Sequence, residues 1–93
     1  MTMKDLKTGD VVVLRNGSVG FCVEKENDIY ILYGENGYDC ADNFNDDMTD
    51  NANGPEFDIM RAYRAEGAFI YFNDYWDGDL IFDRDPEWAV PSK

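Results

Sequence analysis

The run Val11-Val12-Val13-Leu14, closed by Asn16-Gly17, constrains this chain more than any other feature. β-Branched side chains are stiff at χ1 and pack well on a pleated surface, so the run predicts a strand. Asn and Gly both tolerate the positive φ of a tight hairpin, which predicts a type I′ turn at Asn16-Gly17. On the return strand, Val19, Phe21 and Val23 alternate with Ser18, Gly20 and Cys22. That period of two predicts one buried face. Gly20 is expected to mark a bulge or a tight bend.

The same punctuation recurs down the chain. Glu26-Asn27-Asp28 reads as a turn, and Ile29 to Tyr33 as a third strand, apolar on both faces and therefore central. Gly34 to Gly37 turns the chain again, and Tyr38 to Ala41 is a short fourth strand. From Asp42 to Pro55, Asn, Asp, Gly and Thr dominate, which predicts a long surface loop. Phe44 and Met48 are its anchors, with a helical turn over Asn45 to Asp50. Phe57 to Arg64 is a further strand whose buried face is ambiguous, because Ile59 and Tyr63 compete with Met60 and Ala62. Ala65 to Trp76 fits either a strand or a short helix. Leu80-Ile81-Phe82 is a last strand that Pro86 stops.

Short strands with turns at this spacing predict an all-β or β-dominated α+β domain spanning residues 1–93. Its expected form is a small, partly closed antiparallel barrel, SH3-like because the first three strands arrive as consecutive hairpins. Such a chain buries only about 60–65% of its unfolded surface. An aromatic share of 15% helps, since aromatic side chains bring much area into a small core.

Charge sets the functional expectations. The formal net charge is −12, with no histidine. Free nucleic acid and anionic membranes are therefore excluded as direct partners, because the phosphate interaction would be repulsive. Residues 1–25 are near neutral, with four basic and three acidic side chains. Between Glu26 and Met60 stand ten acids and no Lys or Arg. No apolar run approaches the ~18 residues of a membrane span. The opening Met1-Thr2-Met3-Lys4-Asp5 has no apolar core of a secretory signal. Cys22 and Cys40 lack metal-binding or redox spacing and read as reduced thiols of a cytoplasmic protein.

Asp39, Asp42, Asp46, Asp47, Asp50, Glu56 and Asp58 form the first candidate site. Carboxylates spaced along an extended chain can stand where phosphates stand on a nucleic acid, about 3.4 Å apart per strand. A row of this kind fits a channel lined by Lys and Arg. Tyr38, Phe44, Tyr75 and Trp76 would add apolar and cation–π contacts to it. The competing reading is a hydrated loop of turn-forming Asp and Asn.

A calcium loop is the second candidate, because Asn45, Asp47, Thr49, Asn51, Asn53 and Glu56 follow EF-hand ligand spacing. Asp50 at the glycine position, Asn45 at the first position and Pro55 at the exit argue against it. Paired-carboxylate catalysis lacks any sign of a desolvated acid, so no enzymatic role, no cofactor and no metal are expected. Arg61 and Arg64, with Tyr63, Tyr71 and Tyr75, form an alternative pocket for a small anion such as a nucleotide signal. Cross-strand neutralisation of carboxylates is the simpler account of those two arginines. A structural, self-associating domain is a further alternative.

Leu6-Lys7-Thr8-Gly9, Arg15-Asn16-Gly17, Asn43-Phe44-Asn45-Asp46-Asp47-Met48-Thr49, Phe57-Asp58-Ile59 and Leu80-Ile81-Phe82-Asp83-Arg84 occur in that order. The pattern resembles a group of short acidic proteins from phages and mobile elements of Gram-positive bacteria. Phe82 stands where that group usually has Trp, and Met48 where it has Leu. The resemblance implies no activity. It implies a setting, the cytoplasm of a phage-bearing bacterium, where an acidic protein is expected to inhibit a basic, nucleic-acid-handling host protein as a DNA mimic.

Overall fold

The computed structural model describes residues 1–33, 37–64 and 78–91. The expected element at 65–76, with Tyr71, Tyr75 and Trp76, lies outside the described residues, as does most of the Gly34–Gly37 turn. Six strands form one antiparallel sheet: β1 (Val11–Leu14), β2 (Val19–Lys25), β3 (Asp28–Leu32), β4 (Tyr38–Cys40), β5 (Ile59–Arg64) and β6 (Asp79–Asp83). Their order is β4-β3-β2-β1-β5-β6. The all-β expectation holds, and there is no α-helix among the described residues. The partly closed, SH3-like barrel does not form. β4 and β6 are the two ends of the sheet and do not pair.

Both first hairpins form where expected, but the first has a different turn type. At β1–β2 the Gly17 N–H donates to the Leu14 carbonyl and the Leu14 N–H to the Ser18 carbonyl, each at 2.9 Å. Gly17 has φ of 87° and Asn16 is not in the left-handed region. This is a three-residue loop with a glycine bulge, not the predicted type I′ turn. The type I′ geometry sits at β2–β3. There Lys25 pairs with Asp28, and Glu26 and Asn27 carry φ of 53° and 68°.

Gly20 does not mark a bulge. It pairs in register with Val12. A Cβ placed there would lie 2.3 Å from Ile31 Cγ2 and 3.0 Å from Tyr33 Cε1. Both neighbours fill the space that the missing side chain leaves. Gly20→Ala is therefore expected to destabilise the fold by about 1–3 kcal/mol through overpacking, seen as a lower denaturant midpoint with unchanged slope.

The core lies against one face of the sheet. Val12, Leu14, Cys22, Ile29, Ile31, Ile59 and Ala62 pack there with Met3, Leu6, Phe44 and Met48. Each fully buried aliphatic side chain contributes about 1.5–3 kcal/mol. The Asp42–Pro55 segment is indeed pinned by Phe44 and Met48, which are buried. The helical turn expected over Asn45–Asp50 is absent. Instead the Asn45 N–H donates to the Thr49 carbonyl at 2.9 Å, Met48 takes φ of 68°, and Phe44 bridges Asp50.

Among the described residues, the opposite face is covered at one side only. Over β1 and β5, the Arg61 guanidinium lies 5.3 Å from the Trp88 ring and donates to the Trp88 carbonyl. Gly17 abuts Pro91. Val11, Val13 and Met60 are buried there. Over β3 and β4 the same face is open, with Leu32 40% and Tyr38 71% exposed. Thus β3 lies inside the sheet as expected, yet only one of its faces is fully buried. No helix among the described residues is long and apolar enough to cross a membrane.

Candidate functional site

The structure divides the candidate acidic row into two populations. Asp39 and Asp58 are buried and act as acceptors that hold loops together. Asp39 takes hydrogen bonds from its neighbour's Cys40 N–H at 3.0 Å and from the side-chain amides of Asn43 and Asn53. Asp58 accepts from the Asp50 N–H at 2.8 Å and pairs with Arg15 at 3.2 Å. Neither can present its charge to a partner, so both leave the candidate site. Asp50 is half-buried and accepts from the Ala52 N–H at 2.7 Å.

Asp47 is exposed but also closes a turn. Its carboxylate accepts from the hydroxyl and the N–H of Thr49, which together hold its pKa below the usual carboxylate value. Asn45 donates to the Thr49 hydroxyl at 2.9 Å. The calcium-spaced oxygens thus close the loop onto itself. Asp42, Asp46 and Glu56 are exposed.

The concave acidic surface lies elsewhere than the sequence suggests. An open groove of about 810 Å³ is lined by Glu24, Glu26 and Asp28 from the β2–β3 hairpin and by Asp42 and Asp46 from the turn after β4. Among the described residues, Lys4 is the one cation in its wall. Residues 24–28 are brought to 41–46 because β4 pairs with β3 and delivers the chain to the hairpin's end. Asp28, Cys40 and Asp42 bring their ligand-type atoms within 4.8 Å of one another. Glu24, Glu26 and Asp28 were not among the expected site residues. The signal was present in Glu24-Lys25-Glu26-Asn27-Asp28, where turn residues and charges coincide.

The arginines are engaged internally. Arg64 donates to Asp10 from Nε at 2.9 Å and Nη2 at 2.7 Å, and also to the Asp5 carbonyl at 2.9 Å. Its pKa is raised, chiefly by the Asp10 hydrogen bonds. Arg61 pairs with Asp83 at 3.4 Å and stacks on Trp88. Arg84 donates to the Ile59 and Asp47 carbonyls. The anion pocket imagined around Arg61, Arg64 and Tyr63 therefore has its guanidiniums turned to the protein's own groups.

The residues that carry the phage-protein resemblance fall largely in this internal network. Leu6, Phe44, Met48 and Ile59 are core, Gly17 makes the bulge, and Arg15–Asp58 and Arg84–Ile59 tie the segments together. Those motifs mainly hold the architecture, and Phe44, Asn45 and Asp46 from the 43–49 motif also line the groove. No family, no curated protein and no solved structure matches the chain.

Cys22 and Cys40 are free thiols. Burial, then the nearby Asp10 charge, pushes Cys22 up to about 12. Cys40 is only partly buried. The Asp42 backbone N–H favours its thiolate, but burial and Asp28 outweigh that and raise its pKa. A thiol reagent at mildly alkaline pH is expected to label Cys40 alone, with Cys22 reacting only after denaturation. A thiol whose folded pKa is raised keeps its full contribution below the unfolded value. Stability should therefore fall as pH rises from about 9 toward about 12, by up to about 1.4 kcal/mol per unit from Cys22. Partly buried Tyr33, beside Asp39, shifts in the same direction.

Proposed function

We propose that this protein is a non-enzymatic binding protein that engages a basic protein surface by charge complementarity. The observation that carries this reading is the groove: carboxylates from two separate segments converge on one concavity in which Lys4 is the one cation among the described residues. Converging like charges repel, and a fold tolerates that at an exposed site where water screens them. A cationic partner would relieve the repulsion and be steered to the site as it approaches. The partner-facing residues are then Glu24, Glu26, Asp28, Asp42 and Asp46, with Asp47 and Glu56 as exposed outliers.

The resemblance to small phage and mobile-element proteins supports a cytoplasmic setting and a nucleic-acid-handling target. In that setting the acidic groove acts as a DNA mimic that occupies a Lys/Arg-lined channel. Capture from lysate of a Gram-positive host on the immobilised protein tests this. The expected catch is a basic protein that elutes with salt. A catch made of acidic or neutral proteins retained in high salt would overturn the reading.

A further inference from the structure

The open face of β2, β3 and β4 specifies what else a basic partner must carry; this inference rests on the charge reading above. Cross-strand neighbours share one face of a sheet. Leu32 sits between Phe21 on β2 and Tyr38 on β4, and Tyr30 sits between Val23 and Cys40. These side chains make one apolar and aromatic platform. Tyr30 and Tyr38 meet edge to face, ring centroids 6.0 Å apart. Leu32 and Tyr38 are among the most exposed large apolar side chains of the described residues.

The platform borders the acidic groove. Asp28 is on β3, two residues from Tyr30, and its carboxylate accepts from the Cys40 thiol at 3.2 Å. Asp28 also lines the groove. The Tyr30 phenol is raised in pKa by partial burial, then by the nearby Cys40 thiol and the Asp28 and Glu26 carboxylates. Lys25 lies across from Asp28 but makes no ion pair with it within 4 Å. An aromatic pair of one exposed and one half-buried ring, flanked by carboxylates, is a seat for a planar cation. The molecule already builds this chemistry internally, where Arg61 lies over Trp88 while bonded to Asp83. A second copy is a poor occupant, since each would bring a net charge of −12.

We infer that this platform seats an arginine-bearing segment of the basic partner, its guanidinium over Tyr30 and Tyr38 beside Asp28 and its apolar neighbour on Leu32 and Phe21. Pure charge is then insufficient, and the docking segment mixes Arg with apolar residues.

Short synthetic peptides of equal charge test this, one alternating Arg with Leu, one Arg with Gly, and one Lys with Leu. The Arg/Leu peptide is expected to bind about tenfold tighter than either of the others. It should move the amide resonances of Phe21, Tyr30, Leu32 and Tyr38, and Tyr38→Ala should remove its advantage. Tyr38 is exposed, so that variant is expected to fold. If all three peptides bind equally, weaken with salt and ignore Tyr38→Ala, the platform is overturned while the acidic reading stands. If none binds, or binding ignores salt, the acidic reading itself fails and takes the platform with it. A concentration-dependent mass abolished by Tyr38→Ala would make a second copy the occupant and overturn the inference.

Discussion

Arg64→Ala is expected to lower stability by about 2–3 kcal/mol, a drop in Tm of about 10–20 °C for a domain this size. Asp10 is buried, and its carboxylate is held by two Arg64 donors and by the Lys7 N–H at 2.8 Å. Removing the guanidinium leaves a buried anion with that one donor. Breaking such a pair costs more than the pair contributes, because the remaining charge is desolvated without compensation. Arg64 keeps partial solvent contact, which places the expected loss below the top of the range for fully buried pairs. Asp10→Ala is expected to cost a similar amount, since it also frees the Lys7 N–H. The double variant should fall short of the sum by about 1–2 kcal/mol, and strict additivity in a denaturant cycle would contradict the coupling. The pair ties β5 to the turn before β1, so its loss should loosen these two paired strands together.

Asp42→Lys with Asp46→Lys is expected to weaken partner binding about thirtyfold while leaving the fold intact. Both side chains are exposed, both line the groove, and neither carboxylate is tied into the internal network. Surface changes of this kind usually cost less than about 0.5 kcal/mol each. Asp79→Lys with Glu87→Lys changes the net charge by the same amount at exposed positions outside the groove lining. That control should stay within about threefold of the parent, because distant surface charge is screened beyond about 10 Å at moderate salt. Equal losses in the two variants would mean that overall charge acts, and not the groove.

The sequence made the strands legible and the groove illegible, for physical reasons. Val11–Leu14 and the alternation of Val19 to Val23 announce themselves because side-chain period is a local property. The exact turn was not local. Asn16-Gly17 has type I′ chemistry, but Arg15 and Asn16 donate their backbone N–H groups to Asp58 and Glu56, and that long-range docking accompanies the bulged loop. The ambiguous face of residues 57–64 has a similar cause. A register shift at Val13/Leu14 lets Ile59 and Ala62 share the core face at a spacing of three, which strict alternation forbids. A count of charges along the chain cannot distinguish Asp39 and Asp58, which are buried acceptors, from Asp42 and Asp46, which meet solvent. Nor can it bring Glu24, Glu26 and Asp28 to them, because that depends on β4 returning along β3.

A salt titration of the affinity between this protein and the basic protein it captures bears most directly on whether the groove acts by its field. Raising salt from about 0.1 M to about 1 M shortens the screening length from about 10 Å to about 3 Å. The dissociation constant should rise at least tenfold over that interval, and the rise should flatten when Asp42 and Asp46 are lysine. A dissociation constant indifferent to salt, with those carboxylates in place, would contradict the role assigned to them.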